Sequence, residues 1–215
     1  MELDEHEQGE LVRKWLRQNG SSLILGIALG LGLVFAWKWW QGRGTQHQQE
    51  AASQYQLFAD AVAAKDAGKA KAFAALFNDK YADTGYASIA VLRYAAFLQD
   101  NGKTAEAIKL LQADPAKDER SDIAELRRIR LARLLLISGK SAEASQQLAL
   151  IKQAQFPGIA DELRGDIAAA QGKRDDARKA YEQALTHLDQ AAPTRQLVEL
   201  KLIDAGGQAP AKPES

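Results

Sequence analysis

The sequence predicts an all-α chain made of one membrane-spanning helix and a solenoid of helix–turn–helix repeats. Three observations carry this. Residues 23–40, LILGIALGLGLVFAWKWW, hold one charge, while the chain as a whole has a negative mean hydropathy. Further on, four stretches share a Gly-Lys pair, and their glycines lie 34, 37 and 33 residues apart. No stretch sustains the apolar–polar alternation that strands need.

Residues 1–20 form a short segment rich in acid (Glu2, Asp4, Glu5, Glu7, Glu10). The span follows at 21–40. Ser21 to Trp37 gives seventeen uncharged residues, and Lys38 near the end can snorkel. A bilayer core takes about 20 helical residues. Trp37, Trp39 and Trp40 stand where an aromatic belt meets the headgroups, with Trp15 and Arg17 at the other end. A cleaved signal peptide needs a short basic start and small residues before its cleavage site. Here an acidic twenty-residue segment precedes the stretch and three tryptophans close it. The basic residues Arg13, Lys14 and Arg17 before the span outnumber Lys38 and Arg43 after it, which favours a cytoplasmic N-terminus. Ser22, Gly26 and Gly30 make a stripe of small residues that allows close approach of another membrane helix.

Residues 41–49, QGRGTQHQQ, show no apolar periodicity and read as a polar linker. Helical patterns then fill 50–205. The repeats are AGKAKAFAALF, NGKTAEAIKLL, SGKSAEASQQL and QGKRDDARKAY, pivoting on Gly68, Gly102, Gly139 and Gly172. Ala107, Ala144 and Ala177 follow the last three glycines by five residues, and Leu111, Leu148 and Tyr181 come four later; Phe73 and Phe77 take these places in the first unit. The glycine ends one helix in a left-handed turn. The alanine lets the second helix pack closely, and the large residue fills the gap to the next unit. A period near 34 with this pattern is the tetratricopeptide signature. The last stretch, 206–215 (GGQAPAKPES), reads as a disordered tail.

In such a solenoid the first helices of the units line one groove. Counting from the glycines places Tyr55, Phe58, Ile89, Leu92, Leu126, Ile129 and Arg133 along it, with Glu162 and Asp166 at its end. Two readings stand. The groove takes a peptide or partner helix, or the chain's own last helix, Arg195 to Ala205, covers it with Leu197, Leu200 and Ile203. Arg127, Arg128, Arg130 and Arg133 form a basic run, read as a face salt-bridged to Asp122 and Glu125 or as a dock for an acidic partner.

Several function classes drop out. With 28 basic and 28 acidic residues the chain lacks the surplus of a nucleic-acid binder. It has no Cys, which removes a disulfide scaffold, a zinc ribbon and a thiol nucleophile. His6, His47 and His187 are far apart and read as solvated, not as metal ligands. There is no phosphate loop or nucleophile elbow. The reading is a non-enzymatic protein without cofactor or metal.

The layout RKWLRQNGSSLILGIALGLGL, then WKWWQ, then GYASIAVLRYAAFL, RIRLARLLLISGK and IADELRGDIAAAQGKRDDARKAYEQAL resembles the YfgM-like family, the ancillary subunit of the SecYEG translocon. The resemblance covers nearly the whole chain apart from the tail. It implies a single-pass inner-membrane protein with its repeat domain in the periplasm, bound to SecYEG and to a PpiD-like periplasmic chaperone, and handling newly translocated, still unfolded secretory proteins. The family has no catalytic residues to carry over. The alternative is an anchored regulatory scaffold that controls a signalling component through residues 1–20.

Overall fold

The computed structural model describes residues 5–115, 119–152 and 154–208, with backbone alone for 5–12 and 39–44. Among the described residues all regular structure is helical: α1 (Glu5–Ala63), α2 (Ala67–Asp79), α3 (Gly85–Asp100), α4 (Thr104–Gln112), α5 (Ser121–Ile137), α6 (Ser141–Ala149), α7 (Pro157–Ala170), α8 (Arg174–His187) and α9 (Arg195–Asp204). The chain divides into two units, Met1–Glu50 and Ala51–Ser215.

In the first unit, the stretch Arg13–Lys38 is long and apolar enough to cross a membrane, and none of it is buried within the chain. Leu25, Leu33, Phe35 and Trp37 are among its exposed side chains; those of Trp39, Trp40 and Arg43 lie outside the described residues. Residues 41–49 correct the linker expected there, because α1 continues through them. Lack of apolar periodicity does not stop a helix. Gly42 and Gly44 cost about 1 kcal/mol each, and the first proline in the chain is Pro115.

The second unit is built on one repeated turn. Lys65, Gly102, Gly139, Gly172 and Gly206 have φ of 54, 74, 77, 74 and 87°. They are 37, 37, 33 and 34 residues apart. Each closes its helix with the same bond pair. At Gly139, its own N–H donates to Leu136 O (2.9 Å) and the Lys140 N–H donates to Leu135 O (2.8 Å). This is the Schellman cap, which satisfies carbonyls the helix end leaves unpaired. The next helix starts at once.

This turn corrects the register of the first repeat. Gly68 lies inside α2, and Lys65 holds the left-handed position three residues earlier. Ala70 then aligns with Ala107, Ala144 and Ala177, each five residues past its turn and each 0% exposed. Leu111, Leu148 and Tyr181 are buried four residues later, as the pattern requires. Gly206 is a fifth turn of the same kind, closing α9 with a bond from the Gly207 N–H to Leu202 O. The expected tail is therefore ordered at its start; residues 209–215 lie outside the described residues.

Three apolar cores follow the stacking. The first is aromatic, with Phe58, Phe77, Tyr81 and Phe97 buried and Tyr55, Phe73, Tyr86 and Tyr94 packed on them. The second is aliphatic and joins α3 to α7 through Leu98, Leu111, Leu131, Leu134, Leu135, Leu148 and Leu163. The third holds α9 against α8 through Val198, Leu202, Tyr181, Ala184 and Leu185.

Charged side chains lock one repeat to the next. The buried Glu125 carboxylate of α5 accepts the N–H groups of Gln155 (2.6 Å) and Phe156 (2.9 Å), where α7 begins. The Arg127 guanidinium, two residues on, donates to Leu111 O and Ala113 O where α4 ends, and pairs with Glu119. A carboxylate thus meets the positive end of one helix and a guanidinium the negative end of another. Arg195 donates likewise to Leu185 O and Leu188 O at the end of α8.

Gly165 is needed for a different reason from the turn glycines. A Cβ placed on it would stand 2.3 Å from Tyr181 Cε1, whereas one on Gly102 would meet no atom within 4 Å. We expect Gly165→Ala to destabilise the full chain by about 2 kcal/mol through overpacking. Gly102→Ala should cost about 1 kcal/mol, through φ alone. Urea unfolding in detergent micelles, followed by circular dichroism, measures both. A harmless Gly165→Ala would contradict this packing.

Candidate partner-binding face

The first helices of successive repeats adjoin: α3 packs on α5, and α5 on α7. One face of each is left open. On α3 it runs through Ile89, Arg93, Ala96 and Asp100; on α5 it runs through Leu126, Arg130, Arg133 and Ile137. Both follow the i, i+4, i+7, i+11 stripe of a helix. Ile89 is 38% exposed, Ile137 is 63% exposed, and Arg133 is exposed. Tyr55, Leu92 and Leu126 are half-buried. Tyr55 joins the face through its hydroxyl, which accepts from Arg93 Nη1 at 3.4 Å.

Two of the expected groove residues are elsewhere. Phe58 is 0% exposed and Ile129 is 4% exposed, both inside cores. Phe58 stands seven residues before the Lys65 turn, as Ala95, Ala132 and Gly165 stand before theirs. That place faces the second helix of the same repeat. Ile129 turns inward and its neighbour Arg130 turns out, so the face is more basic than the sequence count gives. Arg130 donates to Leu92 O. The exposed Ile137 went unread because the count stopped at Arg133, although it lies one helical turn further along the stripe.

The basic run of α5 also divides differently from its reading as a salt-bridged face. Asp122 pairs with Arg120 at 2.8 Å, and Glu125 is used at the start of α7. Arg127 is structural. Burial, followed by the nearby Arg133 charge, holds the Arg130 guanidinium below its ordinary pKa.

The last helix does not cover this face with the residues the sequence suggested. α9 packs on α8, burying Val198, Leu202 and Ala205, while Leu197, Leu200 and Ile203 stay 50%, 61% and 49% exposed. The true periodicity is i, i+4, i+7; the three-residue spacing picked the neighbouring stripe. What α9 does reach is the acidic end of the row of first helices. Lys201 Nζ donates to Glu162 Oε1 at 2.7 Å and to Asp166 Oδ2 at 2.8 Å. Burial disfavours the Lys201 charge, and bonds to Asp166 and Glu162 outweigh it, so its pKa stands above the ordinary value. Burial and the bond to Asp166 likewise raise the Tyr181 phenol.

Of the three histidines, His187 is not merely solvated: its Nδ1 lies 3.0 Å from Asp161 Oδ2. The side chain of His6 lies outside the described residues. Ser22, Gly26 and Gly30 lie on the exposed length of α1, and a Cβ on either glycine would meet nothing within 4 Å. Their smallness serves no packing within the described chain.

Stacked helical hairpins, following a helix of membrane-spanning length, define a helical-repeat protein with an anchor-like N-terminal helix. The chain belongs to the family of tetratricopeptide repeat-like domains, whose model matches residues 13–207. It is similar to a protein of Escherichia coli (strain K12) named ancillary SecYEG translocon subunit, 28% identical over 182 residues, covering 83% of this chain and 86% of the relative. Two proteins of the same name are also similar. That of Aggregatibacter actinomycetemcomitans is 24% identical over 202 residues, covering 93% and 97%. That of Haemophilus influenzae is 25% identical over 182 residues, covering 85% and 89%. No solved structure matches the chain.

Lys201→Met would leave the carboxylates of Glu162 and Asp166 without their cation. We expect it to cost about 2 kcal/mol of stability in urea unfolding, with Lys201→Arg recovering most of that. Unchanged stability in Lys201→Met would show that α9 is held by its apolar contacts alone.

Proposed function

We propose that this chain is a non-enzymatic, single-pass inner-membrane protein that works as an ancillary subunit of the SecYEG translocon. Residues 1–20 lie in the cytoplasm and the repeat domain in the periplasm. The open face of α1, α3 and α5 binds a PpiD-like periplasmic chaperone or newly translocated, unfolded proteins, and Ser22, Gly26 and Gly30 meet another membrane helix. The observation that carries the reading is the open row of first helices in a chain similar, over most of its length, to three proteins named as translocon subunits. The exposed helix Arg13–Lys38 supports the membrane anchor. The excess of Arg13, Lys14 and Arg17 over Lys38 and Arg43 supports the orientation. Burying one aliphatic side chain such as Leu126 or Ile137 is worth about 1.5–3 kcal/mol, so a few contacts on this face suffice for a transient partner.

Photo-crosslinking in intact cells tests the reading, with probes in place of Gly30, Leu92 and Leu126 and mass spectrometry of the adducts. Gly30 should yield translocon subunits, and Leu92 and Leu126 a periplasmic chaperone or secretory chains. Cytosolic adducts from Leu92 would reverse the orientation. A probe at Gln8 capturing a cytoplasmic regulator, with nothing from the repeat domain, would replace the translocon role with that of a regulatory scaffold.

A further inference from the structure

The fold treats the acidic and the basic stretch of the row of first helices unequally. At the α7 end, Glu162 and Asp166 are matched by Lys201 from α9. Along α3 and α5, no ion pair among the described residues engages Arg93, Arg130 or Arg133. Arg93 gives its guanidinium to the Tyr55 hydroxyl and lies 5.8 Å from the centre of that ring. Arg130 gives its own to a backbone carbonyl, Leu92 O. These two arginines are 37 residues apart, at the same place in consecutive repeats, and each reaches back to the preceding first helix at equivalent positions, Tyr55 and Leu92. Both residues are half-buried, with Arg133 one turn beyond Arg130 and exposed. Partly desolvating a cation beside another cation is unfavourable unless something offsets it. Asp100 of α3 acts on Arg130 without pairing with it.

We propose that this α3–α5 face docks an acidic amphipathic helix of a partner protein, its aliphatic side on Ile89, Leu126 and Ile137 and its carboxylates on Arg93, Arg130 and Arg133. Charge complementarity argues for the occupant: three cations without an ionic partner lie between aliphatic side chains on two adjoining helices, which suits an apolar stripe edged with Glu or Asp. Carboxylate–guanidinium pairs form well in a half-buried place because two parallel bonds fit the planar fork. This rests on the reading of the open face as a partner surface and adds the chemistry of what sits there.

The test uses the full chain in phosphatidylcholine nanodiscs and two fluorescein-labelled 18-residue amphipathic peptides with one shared leucine face, edged with Glu in one and Lys in the other. Anisotropy titrations at low and high salt, against empty nanodiscs, give the affinities. The Glu peptide should bind about tenfold more tightly than the Lys peptide at low salt, and the gap should narrow at high salt. Arg133→Glu should weaken the Glu peptide about tenfold and strengthen the Lys peptide. Arg133 is exposed and makes no hydrogen bond or ion pair among the described residues, so this variant should keep the unfolding midpoint of the parent. Equal affinities for the two peptides, or no response to Arg133→Glu, overturns the acidic occupant while leaving partner binding intact if Leu92 still crosslinks. Binding of neither peptide, together with no adducts at Leu92 or Leu126, removes the partner surface as well.

Discussion

Everything in the repeat domain depends on one turn. A residue at positive φ ends the first helix of each repeat, donates its own N–H and the next one back to two carbonyls, and lets the second helix start without a loop. The turn is so short that the second helix must lie against the first. Only an alanine fits five residues later, and Ala70, Ala107, Ala144 and Ala177 all stand there with no exposed surface. Side chains too large for the crossing are moved to either side of it. There, Leu111 and Leu148 fill the aliphatic core and Tyr181 the core beneath α9. Lys65 shows that the backbone conformation, not the glycine, is the requirement; a lysine in that place accepts a strain that glycine avoids.

The same constraint decides what is left for a partner. Because the second helices fill the cores from one side, the first helices pack side by side and keep one stripe open. Charges then set how firmly that row is held. Glu125 and Arg127 sit two residues apart on α5, and each satisfies a helix end of the sign opposite to its own. One helix therefore ties the repeat before it to the repeat after it. At the far end Lys201 bridges Glu162 and Asp166, so α9 covers the acidic end and leaves the basic stretch of α3 and α5 open. The row is thus tied by charge at α5 and at its α7 end, and open along one stripe of α3 and α5.

Much of this was legible in the sequence. The anchor stood out because apolar length is a composition signal, and the repeats because Gly-Lys and a following alanine recur at a fixed period. The first register slipped because Gly68 imitates the turn glycines while the real turn is a lysine, which carries no such signal. Gly206 was missed because Gly207 follows it where the repeat glycines are followed by lysine. On the candidate face, one residue of counting error exchanges Ile129 for Arg130, since neighbours on a helix differ by about 100°. Most partners of Glu125 and Arg127 were unreadable because they are backbone groups at the ends of other helices. Leu197, Leu200 and Ile203 misled because two stripes on α9 are comparably apolar and only the fold decides which one is buried.

The central claim is that the first helices of the repeats, and not the second, carry the partner. Hydrogen–deuterium exchange on the chain in nanodiscs, alone, with purified SecYEG and with the proposed PpiD-like chaperone, measures this helix by helix. The account predicts slowed exchange in α3, α5 and the last turns of α1, with α2, α4 and α6 unchanged. Slowing confined to α2, α4 and α6, or to residues 1–20, would contradict it.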